Sequence, residues 1–219
     1  MIKTYVLEIE SHSELSSSLL AFCSQNSIAA EQEILVQAFT CLTQKTAVAD
    51  IIGAIQTVLP NAKIVGTSTG SWIAGQRYND QHTILQFCIF QHSQIKTLLI
   101  PQCQENLSEL ASLIAQRLVN DDTRLMLLFS SPAIQQAGLL LDELCLLNPD
   151  IVLAGGYSSQ GSTSEPPLQF TEHGITEQGI ALASISSSQL YLLNKYAFGW
   201  NGIGKQLTLT SVQYNRVFT

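Results

Sequence analysis

The stretch Ile151-Val-Leu-Ala-Gly-Gly-Tyr-Ser-Ser-Gln-Gly161 decides the fold of this chain. Its apolar run, Ile151 to Ala154, predicts a buried strand that two glycines and then hydroxyl-bearing residues follow. Glycines after a strand allow a tight turn or the close approach of another group. A second stretch, Ile64-Val-Gly-Thr-Ser-Thr-Gly70, has the same order of apolar strand end, glycine and hydroxyls. Two copies of this feature predict an internally duplicated chain with two related glycine loops.

The same order of elements surrounds both stretches. Apolar spacing predicts strand, helix, glycine strand, long polar loop and hairpin, with half-repeats at about 31–101 and 122–198. The predicted hairpins pair Thr83–Gln91 with Gln94–Ile100, and Gly179–Ser186 with Gln189–Phe198. Helices mixed with strands predict an α/β layered sandwich with a mixed sheet. No change in composition marks a linker, so residues 1–219 are predicted to form one domain.

Composition and charge exclude several classes of protein. Charged residues make up 12% of the chain and the formal net charge is −7. Lys and Arg form no cluster, which argues against nucleic acid or an anionic membrane as partner because both attract a positive patch. The first strand reaches Glu8 too soon for a signal peptide, and the apolar runs are far shorter than the ~20 residues of a membrane helix. Five scattered cysteines without a CxxC pair predict reduced thiols in a cytoplasmic protein.

The motif Gly66-Thr-Ser-Thr-Gly70 matches G-x-S-x-G, the pattern of the nucleophile elbow in serine hydrolases. An elbow needs Ser68 on a sharp turn between a strand and a helix, so that its hydroxyl is exposed near backbone N–H donors. The strand is predicted, but residues 71–79 have no apolar helical stripe. Asp150 and His173 supply triad candidates in hydrolase order. A serine hydrolase that uses Ser68 is therefore an alternative function, and a ligand-facing loop is favoured.

The residues of the two glycine loops also indicate which kinds of ligand the chain can bind. Neither loop has the Lys of a phosphate-binding P-loop or the following helix of a dinucleotide fingerprint. A small polar ligand with carboxylate or hydroxyl groups fits backbone N–H groups and Ser or Thr hydroxyls better. His173 is either a ligand contact, an axial ligand of haem or a surface loop residue. Trp200 is a candidate stacking platform, with packing in the core as the equal alternative. The histidines are not spaced for a metal site.

Four motifs occur in a fixed order between about Ile34 and Val212: Val65-Gly-Thr-Ser-Thr-Gly-Ser-Trp-Ile73, Leu153-Ala-Gly-Gly-Tyr-Ser-Ser-Gln-Gly161, Phe170-Thr-Glu-His-Gly174 and Gly199-Trp-Asn-Gly-Ile-Gly204. Together they resemble the FIST sensory family, in particular its N-terminal domain. The resemblance implies a cytoplasmic, non-catalytic domain of bacterial signal transduction that binds a small molecule such as an amino acid. It also implies a C-terminal FIST domain or a signalling output domain as partner. Some relatives bind haem as nitric oxide sensors, so haem is an alternative cofactor.

The resemblance places the ligand site at the two glycine loops. The matching positions are Gly66, Thr67, Ser68, Thr69, Gly155, Gly156, Tyr157 and Ser158; His173 and Trp200 are added as candidates from their motifs. The order of elements favours two loops that face each other around one pocket. The chain departs from the family where Ser71-Trp72 replace a frequent Gly-Glu, so an acid suited to a ligand amine is missing. It also ends at Thr219, before any C-terminal FIST domain.

Overall fold

The computed structural model describes residues 2–10, 14–102, 106–134, 137–159 and 164–193, with positions 204, 208, 210–213 and 216–218. The strands are β1 (Ile2–Ile9), β2 (Ile34–Thr40), β3 (Lys63–Ser68), β4 (Trp72–Ala74), β5 (Arg77–Asn79), β6 (Thr83–Phe90), β7 (Gln94–Ile100), β8 (Thr123–Ser130), β9 (Val152–Tyr157), β10 (Gln169–Thr171), β11 (Gly174–Thr176), β12 (Ile180–Ser186), β13 (Ser211–Gln213) and β14 (Arg216–Phe218). The helices are α1 (Leu15–Gln25), α2 (Lys45–Val58), α3 (Leu107–Leu118) and α4 (Ala137–Leu147). Within these residues, no helix has the length and apolar character that crossing a bilayer requires.

Two mixed sheets contain most of the strands. The first has the order β1-β6-β2-β3-β10-β11 and the second has the order β7-β12-β8-β9. In each sheet a helix connects a parallel pair, with α2 between β2 and β3 and α4 between β8 and β9. The α/β fold with mixed sheets that the sequence predicts is confirmed.

Three apolar clusters arrange the helices and sheets in four layers. Helices α1 and α2 cover one face of the first sheet, where Leu19 and Ile55 are fully buried. Helices α3 and α4 cover one face of the second sheet, around Leu110 and Leu140. The other faces of the two sheets pack on each other, with residues of β2, β3, β6, β7, β8 and β12 in one cluster. The core therefore lies between each pair of layers, and the strand ends lie at the rims of the sandwich.

Amphipathic spacing explains why α2 forms and which face it buries. Val48, Ile51 and Ile55 recur at helical spacing and are fully buried against the first sheet, as a stripe at i, i+3 and i+7 should be. Helix α3 begins at an N-cap, because the Asn106 side chain accepts a hydrogen bond from the backbone N–H of Glu109 at 3.3 Å.

Strand pairing relates the two halves of the chain. The order β1-β6-β2-β3 over Ile2–Phe90 is the same as the order β7-β12-β8-β9 over Gln94–Ser186. The predicted hairpin between Thr83–Gln91 and Gln94–Ile100 is wrong, because β6 and β7 lie in different sheets and the three residues between them connect the sheets. The other hairpin was predicted to use Gln189–Phe198. Residues 189–193 form no strand, and 194–198 lie outside the described residues.

One hairpin crosses from the second half into the first sheet. Strand β10 pairs antiparallel with β3, with Phe170 opposite Gly66, and β11 forms the outer edge of that sheet. The corresponding hairpin of the first half, β4–β5, pairs with no other strand among the described residues. This arrangement brings the β10 segment beside the first glycine stretch.

Candidate functional site

Both glycine stretches lie within strands, which corrects the prediction of two glycine loops. Gly66, Thr67 and Ser68 form the end of β3, and Gly155, Gly156 and Tyr157 form the end of β9. Strand β9 is also not buried as predicted: among the described residues it is an edge strand, and Gly155 to Tyr157 are exposed. The sequence pattern indicated an apolar strand correctly but contained no information on whether a neighbouring strand covers it.

Close packing explains the glycine in each strand. A Cβ added to Gly66 would lie 2.3 Å from the ring of Phe170 and 2.8 Å from the Ala38 carbonyl oxygen. A Cβ added to Gly155 would lie 1.8 Å from the Leu128 carbonyl oxygen, and the φ of Gly155 is +140°. These distances are far below van der Waals contact, which is about 3.5–4.0 Å between carbons. Both positions therefore require glycine, because residues on adjacent strands leave no room for a Cβ.

The structure brings the ends of the two stretches together in a buried hydrogen-bond cluster. The Thr67 hydroxyl donates to Ser158 Oγ at 2.7 Å, and the Ser68 hydroxyl donates to the Ser159 carbonyl oxygen at 3.1 Å. The Ser159 N–H donates to the Ser68 carbonyl oxygen at 3.0 Å. Thr67, Ser68 and Ser158 are each less than 5% exposed. Side chains and backbone thus fill the point where the two stretches meet.

Hydroxyl residues stand at the carboxyl ends of the parallel strands of both sheets. Thr40 ends β2, Ser68 ends β3, Ser130 ends β8 and Ser158 follows β9. The contacts between Ser68 and Ser159 show that the ends of β3 and β9 meet at one rim of the sandwich. Ligands of α/β proteins commonly bind outside the carboxyl ends of parallel strands. We refer to Thr67, Ser68, Ser158 and the adjacent Gln169 as the hydroxyl cluster.

Gln169, on β10, is the residue of this cluster that the sequence analysis missed. Its side chain is fully buried, and its Nε2 donates to Ser158 Oγ at 2.8 Å and to the Pro167 carbonyl oxygen at 3.1 Å. Its Oε1 has no hydrogen-bond partner among the described residues. Ser158 Oγ already accepts from Thr67 and Gln169, so its own O–H remains available. A spare acceptor and a spare donor thus lie side by side, although an unpartnered buried carbonyl is costly.

Thr69 and Tyr157 lie at the margin of the cluster. The Thr69 hydroxyl donates to the Ser71 carbonyl oxygen at 2.7 Å, and its N–H donates to the Thr40 carbonyl oxygen at 2.8 Å. Tyr157 is half exposed. Nearby, burial and then the carboxylate of Asp80 raise the pKa of the Cys41 thiol, which keeps Cys41 neutral and poorly nucleophilic at pH 7.

The geometry that the alternative function, a serine hydrolase, requires is not formed around Ser68. The Ser68 hydroxyl is buried, accepts from the Leu168 N–H at 2.7 Å and is followed by a bend rather than a helix. His173 lies at the opposite end of the β3–β10 pair, since Thr171 is already opposite Val65. With about 3.3 Å per residue along a strand, it is on the order of 10 Å or more from Ser68. Asp150 precedes β9, whose far end contacts Ser68.

His173 lies in the turn between β10 and β11 and is more than half exposed, with Nε2 3.5 Å from Glu172 Oε1. The neighbouring Glu172 is the residue that organises this turn. Its carboxylate accepts from the Ile64 N–H at 2.9 Å and from the Thr97 hydroxyl, and it pairs with Lys63 at 3.5 Å. The turn is therefore tied to both halves of the chain. Trp200, the remaining candidate, lies outside the described residues.

An apolar groove of about 450 Å³ lies between α4 and the open edge of β9. Leu128, Ala137, Gly138, Leu141, Leu153 and Gly155 are among its lining residues, and no histidine lines it. We call this the β9 groove. It is separate from the hydroxyl cluster, although the same strand contributes to both.

A sequence model of the FIST N domain matches residues 34–219. The chain belongs to the FIST family. FIST domains are small-molecule sensory domains. No curated protein matches this FIST domain. A crystal structure of cyanuric acid hydrolase from A. caulinodans is similar at 10% identity and a TM-score of 0.40, over 92% of this chain and 69% of that one. Similarity at this level carries no argument about activity.

Proposed function

We propose that this FIST domain binds a small polar molecule at the hydroxyl cluster and acts as a non-catalytic sensory domain. Family membership supports the sensory role. The observation that carries the site is the fully buried Gln169 Oε1, which has no hydrogen-bond partner among the described residues and lies beside the Ser158 hydroxyl. Buried polar groups are nearly always hydrogen-bonded. A ligand that supplies both a donor and an acceptor satisfies these two atoms together.

The chemistry of the cluster favours an amino acid or a similar small molecule. An ammonium or hydroxyl group of the ligand donates to Gln169 Oε1, and a carboxylate or hydroxyl oxygen accepts from Ser158. No carboxylate is described among the contacts of these two side chains, so the amine is recognised through neutral acceptors. Neutral hydrogen bonds are weaker than charge-assisted ones, which favours a moderate affinity.

The signal would be read by a C-terminal FIST domain or a signalling output domain. Binding shifts the population of two arrangements of the domain against that partner only if the ligand has different affinities for them. The ligand reaches the cluster by displacing the segment that contains Pro167 and Leu168, whose backbone bonds to Gln169 and Ser68. Reduced cysteines, with Cys23, Cys41, Cys88 and Cys145 all free, support a cytoplasmic location.

A thermal-shift screen with amino acids, dicarboxylates and sugars tests the proposal. A ligand at about 100 times its Kd stabilises the fold by about 2.7 kcal/mol, which raises the Tm by roughly 5–11 °C for a chain of this size. Gln169→Leu removes the acceptor and should abolish the shift. Thr83→Val is the matched control, because it removes another buried hydrogen bond, to Thr40 at 2.7 Å, without touching Gln169.

Two outcomes contradict the proposal. One is that no compound of the panel raises the Tm of the wild type. The other is that the active compound raises the Tm of Gln169→Leu as much as that of the wild type and of the control Thr83→Val. In that case the ligand binds elsewhere.

A further inference from the structure

In the first sheet, the outer edge of the parallel pair β2–β3 is covered by a hairpin. In that sheet the hairpin β10–β11 covers the outer edge of β3, with the fully buried Phe170 packed on Gly66. The hairpin also contacts α2, because the Gln56 side chain donates to the Glu172 carbonyl oxygen at 3.4 Å. In this sheet Ile52 of α2 is only 7% exposed.

The second sheet has the same edge without a cover among the described residues. Strand β9 corresponds to β3 in register. Ser68 lies opposite Thr40 at the end of the pair β2–β3, and Tyr157 lies opposite Ser130 at the end of the pair β8–β9, so Tyr157 corresponds to Ser68. Counting back from these ends, Gly155 takes the place of Gly66. The β9 groove is therefore the space that a hairpin fills in the first sheet.

The exposure of α4 agrees with this correspondence. Four residues separate α4 from β9, as four separate α2 from β3, so Leu141 takes the place of Ile52. Leu141 is 38% exposed, against 7% for its counterpart. Exposed apolar side chains that line one groove mark an interaction site more often than scattered ones do.

The chain also contains a hairpin that matches this edge. In β4–β5, Trp72, Ile73 and Ala74 pair with Asn79, Tyr78 and Arg77, which is the three-pair register of β10–β11. The central pair of β10–β11 is Phe170 with Ile175, and the central pair of β4–β5 is Ile73 with Tyr78. Ile73 and Tyr78 are 77% and 64% exposed. They form an apolar pair on a two-stranded hairpin, which gains stability when it joins a larger sheet.

The hairpin is held at the first sheet of its own chain, not at β9. The Trp72 indole N–H donates to the His82 carbonyl oxygen at 3.1 Å, and Arg77 forms an ion pair with Glu8 of β1 at 2.9 Å. A β4–β5 hairpin that pairs with β9 while the hairpin of the same chain keeps these contacts therefore belongs to another molecule.

We propose that the β4–β5 hairpin of a second copy of this chain adds to the β9 edge, with its Ile73 packed over Gly155. The contact repeats, between molecules, the interface that β10–β11 and β3 already form within the chain. β-strand addition supplies main-chain hydrogen bonds, and the β9 groove receives the alternate side chains. Donor and acceptor are different surfaces, so the association is head-to-tail and forms a ring or a linear assembly. This proposal is independent of the ligand at the hydroxyl cluster.

Sedimentation velocity over a wide range of protein concentration provides the test. The wild type is expected to self-associate. Ile73→Asp removes the donor and Leu141→Glu blocks the groove, and each should weaken self-association by about tenfold or more because a charge would be buried without a partner. Leu20→Asp on α1 and Leu146→Glu on α4 are matched controls at 59% and 78% exposure, and both should associate as the wild type does.

Mixing the two variants gives the decisive result. The two variants are mixed at a concentration at which each alone is monomeric. In the mixture, the Leu141→Glu variant retains an intact β4–β5 hairpin, and the Ile73→Asp variant retains an intact β9 groove. The mixture should form a dimer that does not grow further. A wild type that stays monomeric throughout, a mixture without dimer, or controls that dissociate like the two variants would overturn the proposal. Circular dichroism confirms that each exposed-site variant is folded.

Discussion

The contact between Gly66 and Phe170 allows a quantitative test of why the first glycine stretch contains glycine. Gly66→Ala places a methyl group 2.3 Å from two ring carbons of Phe170, more than 1 Å inside the usual contact distance. Phe170 is fully buried, so its ring has no solvent space into which to move. The Ala38 carbonyl oxygen, 2.8 Å from the new methyl group, restricts the other side.

The expected free energies follow from overpacking and cavity formation. Gly66→Ala should destabilise the fold by roughly 1–3 kcal/mol, and Phe170→Ala should cost roughly 3–5 kcal/mol. In the double variant the ring that opposes the methyl group is gone, and the methyl group fills part of the cavity. The double variant should therefore cost about 1–2 kcal/mol less than the sum of the single variants. Part of the cost remains, because the Ala38 carbonyl oxygen is still close.

Urea unfolding monitored by circular dichroism measures the free energy of unfolding of the wild type, the two single variants and the double variant. Gly53→Ala is the control for the substitution itself: it lies in α2 with nothing within 4 Å of the added Cβ, and it should stabilise by roughly 0.5–1 kcal/mol. Additivity of the two single variants within about 0.5 kcal/mol would refute the argument that ring packing dictates the glycine.

Three further predictions concern side chains outside that contact. Burial raises the pKa of the Cys88 thiol, so its thiolate forms at higher pH than usual, and iodoacetamide at pH 8 should modify Cys88 far more slowly than the exposed Cys145, as peptide mass spectrometry would show. A fluorophosphonate probe should not label Ser68, because its hydroxyl is buried and hydrogen-bonded; labelling that disappears in Ser68→Ala would contradict this. Glu172→Ala should destabilise by about 2–3 kcal/mol, because it removes charged hydrogen bonds at a side chain only 7% exposed. Glu177→Ala, which removes a surface ion pair, should cost about 1 kcal/mol or less in the same urea titration.

Local patterns in the sequence predicted most of the elements. The stripe of Val48, Ile51 and Ile55 indicated α2 because each turn of a helix repeats the same face. Strand partners were not predictable in the same way. Two apolar runs separated by His92 and Ser93 are compatible with a hairpin, but apolar alternation records only that a face is buried. The chain instead uses these few residues to cross between sheets.

In the candidate site, too, local features were predictable from the sequence and long-range contacts were not. The two glycine stretches were predicted as a related pair, and the structure joins their ends through Thr67 and Ser158. Gln169 was missed because its partners depend on the pairing of β10 with β3, about a hundred residues away in sequence. No local pattern distinguishes it from a surface glutamine. Similarly, the exposure of β9 follows from its position at a sheet edge, which apolar content alone does not reveal.

The placement of β10–β11 has a consequence for synthesis of the protein. Ile64 and Glu172, which the hairpin turn brings together, are 108 residues apart in the chain. While the ribosome produces the residues between them, β3 has no strand on its outer side, although its partner β2 is already available and β6 follows early in this interval. Unpaired strand edges on partly folded chains promote aggregation. The first sheet is therefore complete only after β10 and β11 have been synthesised, and until then the open edge of β3 is a site at which the nascent chain can aggregate.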